Sequence, residues 1–443
     1  VVRVWLYLRR TRQNTRNLPI DVPIEHLFLF APANFGSDLA KIGRSPLNAV
    51  RVTFTKLSES FTQQGHKDKD LFETGKKVLQ GLEPASPTQW ELSMGDLHKH
   101  TYFGEHDPNP NKQYCFPFIF AAGKAEKTLE SIVVKELQKD GTDSTVRIAG
   151  TSLNTRLFTL RSSSIVAGTS LHEIDWDNEL IPDTNNKRKY ENIAFAIFGE
   201  YDHCGIINDN NKFQKPTENI QDWNPQLPKD WEPLTLLKEA KEVTKPDQYK
   251  EIAKKFYQQT SAYIDPKKSN AKEGIFQQFF FNVTDDTGQK VPDFFIQFFV
   301  QDTGSKTENP GLGLTKEFRE LFDGGKGGAD FASKTSLHVH SVDSSHSVLM
   351  LDITPVDEFL RTRLNINNQI VMKVTANSPY KGVVFGDSDS DLGSDFVIFD
   401  KRAQLNGSPS FFFPFTTTLV KIILNRKINR DILGEGNFGH EID

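Results

Sequence analysis

The sequence predicts an α/β fold: a mostly parallel sheet flanked by helices, followed by an antiparallel β-sandwich. Three observations carry this. Through residues 1–265, unbroken apolar runs such as Leu27-Phe28-Leu29-Phe30 and FPFIFA at Phe116–Ala121 alternate with amphipathic segments. That is the pattern of strands buried on both faces and joined by helical crossovers. From Phe276 the character changes to short β-branched and aromatic runs separated by turn residues, as in an antiparallel sandwich. At 443 residues the chain also exceeds what one ordinary core organises. The expected division is therefore 1–265 and 266–443.

Taken in order, the chain opens on VVRVWLYLRR, where Val1, Val4, Trp5 and Leu8 share one helical face. Neither a capping residue nor a charged-then-apolar leader precedes it, so the sequence reads as cut, with a segment expected upstream. Ile24–Phe30 is predicted as a buried strand running into the loop Ala31-Pro32-Ala33-Asn34-Phe35-Gly36-Ser37. Two amphipathic helices follow, one carrying Leu71, Val78, Leu79 and Leu82, the other Trp90, Met94 and Leu97 after Pro87-Thr88. Phe116–Ala121 is the next strand, and Glu126–Leu137 the next helix. Val146-Arg147-Ile148-Ala149 is read as a short strand with a hairpin return at Arg156–Leu160, and Ile193–Phe198 as another buried strand. Asn208–Pro233 reads as a long surface connection and Asp247–Tyr263 as a helix. Eight short strands are expected beyond it, from Phe276–Val283 to Ser410–Ile423.

Composition narrows the function. The net charge of −5 shows no basic balance for a nucleic-acid partner. Cys115 and Cys204 are the only cysteines, too few for a disulfide scaffold. No apolar run approaches the ~18 residues of a membrane span. The 35 phenylalanines, concentrated in the second half, are read as core.

The chemistry gathers at two turns. Lys139–Asn154 (KDGTDSTVRIAGTSLN) sets carboxylates just ahead of an apolar run, and the Ile193–Phe198 strand ends in Gly199-Glu200-Tyr201-Asp202-His203-Cys204-Gly205. An acid followed by a histidine is the order of the last two members of one kind of Ser–Asp–His triad. A hydrolytic serine needs such an imidazole within hydrogen-bond reach and a carboxylate to hold its tautomer. The alternatives are a surface histidine in a polar loop and an acid that merely caps a turn. No serine lies in a G-x-S-x-G elbow: Gly150-Thr151-Ser152 and Gly168-Thr169-Ser170 begin correctly but continue to Asn154 and His172. Asn34, Phe35 and Ser37 are candidate substrate-binding residues, since α/β sheets place ligands beyond the carboxyl ends of their strands. The alternative is a loop that needs small residues for tight packing.

VVRVWL, FLFAPANFGSDLAKIGRS, GLEPASPTQWEL, TDSTVRIAGTSLN and YDHCGI, in that order, resemble a bacterial group of lipase/esterase-like α/β hydrolases over residues 1–210. The resemblance implies that a helix like VVRVWL follows a G-H-S-x-G elbow, placing the nucleophilic serine shortly before Val1, outside this sequence. It implies His203 as triad base and Asp143 as triad acid, with Asp140 as the alternative acid. Cys204, inserted before Gly205, and the extra acid Asp140 are departures from the family pattern.

Two other clusters invite a metal. Asp387, Asp389 and Asp391 alternate like the start of a calcium loop, but the glycine is displaced to Gly393 and Ile398 occupies the twelfth position. An EF-hand is excluded, leaving solvated turn acids or a looser Ca²⁺ site. His338 and His340 would share one strand face, with His346 nearby, a zinc set only with the right geometry. Asn282-Val283-Thr284 and Asn406-Gly407-Ser408 are sequons.

The expectation is a serine hydrolase of carboxylic esters, lipid or other, working through an acyl-serine and needing no cofactor. The sandwich is expected as an accessory module for substrate, peripheral membrane or partner contact. Alternatives are an inactive fragment or binding protein on the same scaffold, and an acyltransferase using the same triad.

Overall fold

A computed structural model describes residues 3–4, 25–38, 40, 80–99, 115–124, 141–143, 145–162, 171–172, 174–176, 193–203, 205–206, 232–264, 275–304, 312–322, 335–378, 383–386, 393–405 and 411–428. The chain forms two compact units. The first comprises Val1–Thr155, Arg188–Phe276 and Phe415–Thr417; the second comprises Arg156–Lys187, Gln277–Pro414 and Thr418–Asp443. The chain thus passes between units more than once, and Arg156–Lys187 groups with the later residues.

The first unit is built on a three-stranded sheet in the order β1 (His26–Phe30), β2 (Phe116–Ala122) and β3 (Ala194–Phe198). Both pairings are parallel, with Phe28 opposite Phe118 and Phe120 opposite Ala196. Every residue of β2 and β3 is buried, which explains why these runs are continuously apolar instead of alternating. Along one face Phe30 stacks on Phe120 at 4.7 Å, and Phe120 on Phe198 at 6.0 Å.

Helices cover this sheet. Along α1 (Pro87–Ser93), with proline in its first turn, Gln89, Trp90 and Ser93 are buried, and the chain continues as a π-helix at Met94–Lys99. A four-residue helix, α2, spans Ile148–Thr151; α3 (Pro233–Lys241) and α4 (Pro246–Ile264) follow. At the start of α4 the Gln248 side-chain oxygen accepts from the Thr244 and Lys245 backbone N–H groups, the return half of a capping box. Its buried residues Tyr249, Ala253, Phe256, Thr260 and Tyr263 recur at helical spacing, while Tyr257 is exposed. Phe256 meets Phe118 and Phe120 edge-on or tilted at 5.8 and 5.1 Å, so truncation to alanine should cost about 3–5 kcal/mol. The Tyr249 hydroxyl donates to Pro117 O at 2.6 Å and accepts from Ala194 N at 3.0 Å, tying the helix to two strands at once.

The second unit holds a six-stranded sheet, with strands in the order Ile174–Trp176, Thr155–Arg161, Thr417–Leu424, Phe276–Asp285, His346–Asp352 and Thr335–Val339. The strand-terminal residues Thr155, Phe276 and Thr417 group with the first unit. A four-stranded sheet runs Leu171–His172, Ser394–Asp400, Asn368–Ala376 and Phe294–Asp302. A two-stranded ribbon pairs Val383–Phe385 with Arg426–Ile428.

Several expectations are corrected. The residues after Phe276 are not all-β: they also form helices at Leu312–Phe322, Thr354–Thr362 and Lys401–Leu405. Antiparallel pairing is the rule, yet Ser394–Asp400 pairs parallel with Leu171–His172. Arg156–Leu160 is a strand, but its partners lie in the six-stranded sheet. A helix that was not anticipated, Pro233–Lys241, begins where the expected surface connection ends. The run at Val146 is not a strand either. Thr142 and Arg147 form an isolated antiparallel bridge, and helix α2 starts one residue later. The cause is Asp143, whose Oδ1 accepts from Thr145 N at 3.0 Å and Val146 N at 2.7 Å. Those bonds turn the backbone away from an extended ladder. The predicted helix at 126–137 and most of the helix carrying Leu71 lie outside the described residues.

Candidate active site

Asp143 and His203 come together beyond the carboxyl end of the parallel sheet. Asp143 lies in the turn closed by the Thr142–Arg147 bridge, with its own N–H donating to Val146 O at 3.1 Å and Ile148 N donating to Gly141 O at 2.9 Å. Its carboxylate is buried, at 1% exposure. Burial without hydrogen bonds would be costly for a carboxylate, and here it has three. Oδ1 takes the two turn amides, while Oδ2 lies 2.8 Å from His203 Nδ1.

His203 follows β3 in a tight turn. Asp202 Oδ1 accepts from Gly205 N at 2.6 Å, Ile206 N donates to Asp202 O at 3.1 Å, and Ile206 is fully buried in the first unit's core. On the other side Tyr201 O accepts from Lys124 N at 3.0 Å. The imidazole remains 24% exposed. Because a carboxylate oxygen only accepts, the proton between the two residues belongs to Nδ1. In the neutral ring Nε2 is then an acceptor, ready to take a proton from a nucleophile or water. Among the described residues, no serine hydroxyl bonds to His203.

The loop after β1 abuts the acid turn. Asn34 Nδ2 donates to Thr151 O at 2.7 Å, Phe35 N to Gly150 O at 3.0 Å, and Ser37 Oγ to Thr145 O at 2.6 Å. Arg147 Nε and Nη2 each lie 3.1 Å from a carboxylate oxygen of Asp38. Phe35 is almost wholly buried, and Asn34 and Ser37 are buried too. The side chains of the three candidate binding residues are thus packed on, or bonded to, their own unit. The loop carries backbone strain as well. Ala31 sits at φ +40 and, across from Gly36, Ala85 sits at φ +65, a region uncommon for residues with a Cβ.

Sequence reasoning missed an anchor on the opening segment. Arg3 is buried, its Nε and Nη2 bonded to the two Asp96 oxygens at 2.9 and 2.8 Å. It also reaches Ser93 Oγ at 3.3 Å and Asn34 O at 3.4 Å. The signal was present in a lone arginine inside the apolar stretch VVRVWLYL. Asp96 lies in the π-helix, a local widening often found near functional sites. Burial pushes the Asp96 carboxyl up, and the Arg3 charge offsets only part of that.

Other candidates resolve differently. Asp140, Asp387, Asp389, Asp391 and Cys204 lie outside the described residues. His340 Nδ1 accepts from Asp343 N at 3.1 Å, and His346 Nδ1 contacts Ser345 Oγ at 3.1 Å. These histidines are engaged in one hairpin turn. Among the described residues no group of three His, Cys, Asp or Glu side chains is placed to hold a metal. No helix among them is long and apolar enough to cross a membrane.

No protein-family model matches the sequence, and no curated protein does. The fold has solved counterparts. Phospholipase PlaB from Legionella pneumophila superimposes with a TM-score of 0.63 at 18% identity, over 100% of this chain and 78% of that one. The same phospholipase in complex with thio-NAD gives 0.61 at 17% identity, with the same coverage. The chain therefore shares the fold of that phospholipase.

Proposed function

We propose that this chain carries the acid and base of a serine hydrolase acting on carboxylic esters. The supporting observation is the His203–Asp143 contact of 2.8 Å, made by a buried carboxylate whose other oxygen is held by two backbone amides. In this reading the serine lies upstream of Val1. His203 Nε2 takes the serine proton as Oγ attacks the ester carbonyl, then returns it to the departing alkoxide, leaving an acyl-serine. Water repeats the sequence and releases the acid. Asp143 holds the Nδ1–H tautomer and stabilises the imidazolium formed in each half. Backbone N–H groups near the serine would supply the oxyanion donors. The phospholipase activity named for the structural counterpart makes a lipid ester a fitting substrate, with the second unit as an accessory surface for substrate, membrane or partner.

The test uses the full-length gene product, a short-chain chromogenic ester and a fluorophosphonate label located by mass spectrometry. Labelling of an upstream serine, with turnover lost in His203→Ala, supports the proposal. Turnover that survives His203→Ala removes His203 from the mechanism. A second reading is a binding protein on a hydrolase scaffold. It predicts neither label nor turnover. Ester formation with an added alcohol would instead mark an acyltransferase.

A further inference from the structure

We infer that Arg147 and Asp38 are positioning residues for the His203–Asp143 pair. Their ion pair clamps the acid turn onto the loop after β1 and so holds the carboxylate in register with the imidazole. This rests on the reading of Asp143 and His203 given above.

The acid turn starts at Gly141 in the left-handed region, at φ +75, and is closed by the Thr142–Arg147 bridge together with the bonds from Asp143 N to Val146 O and from Ile148 N to Gly141 O. Arg147 therefore sits opposite the residue before Asp143, and directly after Val146, whose amide makes the shorter bond to Asp143 Oδ1. A force on Arg147 reaches the carboxylate through one bridge and one peptide. That force comes from Asp38, through two parallel bonds of 3.1 Å. Such a fork fixes direction as well as distance, which a lysine cannot reproduce. Arg147 is 4% exposed, so water competes little for the pair.

The other end of the clamp is referenced to the sheet. Ala31 N donates to Phe120 O at 2.7 Å where the loop leaves β1. Strand β2 pairs in register with β3, whose end carries His203. The ring therefore closes: sheet, loop, Asp38, Arg147, acid turn, Asp143, His203, sheet. Ser37 Oγ, bonded to Thr145 O at 2.6 Å, is a second and weaker strut on the same turn.

The experiment observes the His203 Nδ1 proton by NMR in ¹⁵N-histidine-labelled protein at fixed pH, assigned by its loss in His203→Ala. Its exchange with water is compared in Asp143→Asn, Arg147→Gln, Arg147→Lys, Asp38→Asn, the Arg147→Gln/Asp38→Asn double variant and Tyr249→Phe. Arg147→Gln and Asp38→Asn should each speed exchange about tenfold, as for a lost charge-assisted bond. The double variant should add little to either, and Arg147→Lys should restore only part. Tyr249→Phe, which loses two bonds elsewhere in the same unit, should lower the melting temperature without changing exchange. Asp38→Asn keeps the side chain's shape and carries the test where Arg147→Gln does not fold. Wild-type exchange in both Arg147→Gln and Asp38→Asn, with lowered stability, overturns the clamp while leaving the dyad intact. An unchanged Nδ1 proton in Asp143→Asn overturns the dyad itself.

Discussion

His203 Nδ1 lies 2.8 Å from Asp143 Oδ2, and Asp143 Oδ1 is already committed to the amides of Thr145 and Val146. The carboxylate thus has one oxygen for its own turn and one for the histidine. Asp143→Asn keeps the shape but allows an NH₂ to face the ring, favouring the wrong tautomer. On the proposed reaction we expect kcat to fall by roughly 10⁴-fold with little change in KM. Steady-state kinetics of the full-length gene product on the proposed ester substrate check this. A loss confined to KM would argue that Asp143 serves binding instead of proton transfer.

The Arg3–Asp96 pair predicts a stability effect with a defined pH dependence. Arg3→Met strands a buried carboxylate and should cost about 3–5 kcal/mol at neutral pH. Without the guanidinium, the Asp96 carboxyl is driven further up than burial already pushes it. A folded-state pKa above the unfolded one gives stability that is present at low pH and lost as pH rises. The deficit of Arg3→Met should therefore shrink on acidification from pH 7. Replacing both partners, Arg3→Met with Asp96→Leu, should recover much of the loss. Urea denaturation of the four proteins measures the cycle, and a deficit independent of pH would mean Asp96 stays ionised.

How much of this was legible in the sequence depends on the range of the interactions. Strands β2 and β3 were readable because burial on both faces leaves unbroken apolar runs. Strand β1 was readable because it carries a similar run, although only Leu27 is buried, and α4 because Tyr249, Ile252 and Phe256 keep helical spacing. The order of Asp143 and His203 was readable too, but not their contact, which joins residues 60 apart. The Arg147–Asp38 fork spans 109 positions and leaves no local trace. Val146-Arg147-Ile148-Ala149 misled because its β-branched residues favour a strand, while the Asp143 side chain captures the amides a strand would use. Leu312–Phe322 and Thr354–Thr362 were hidden by their setting among short aromatic strands. Thr354–Thr362 still carries a proline in its first turn and buried Val356, Phe359 and Leu360 at helical spacing.

In the second unit, the hairpin turn at Asp343–His346 predicts acid sensitivity. Burial alone would raise the Asp343 carboxyl, but bonds from Lys290 and Ser345 and the nearby positive charges outweigh it and hold the group at about 2. His346 is lowered, chiefly by burial, although Asp343 opposes this. Both folded values are depressed, so both contributions are present above the unfolded values and lost as pH falls. His346 acts first, below its ordinary 6.5, and Asp343 later, from 3.8 down toward about 2. His346→Asn should flatten the decline in urea midpoint between about pH 7 and 5, and Asp343→Asn the decline at lower pH. A wild-type midpoint flat across the first interval would contradict the histidine's part.

Gly141 gives the sharpest link between backbone and site. Its φ of +75 costs an L-residue about 1–2 kcal/mol, and an added Cβ would also collide with the Phe276 ring. Overpacking of that kind adds about 1–3 kcal/mol. Gly288 provides the comparison: at φ +84, a Cβ there would meet nothing within 4 Å. Gly288→Ala should therefore show the backbone cost alone, and Gly141→Ala roughly twice that or more. Gly141 O also accepts from Ile148 N across the acid turn, so relief of the clash displaces Asp143. Gly141→Ala should then speed exchange of the His203 Nδ1 proton at temperatures where the fold persists, and Gly288→Ala should not. Equal midpoints for the two variants in urea would show that Phe276 yields to the new methyl and that the turn is not held by packing.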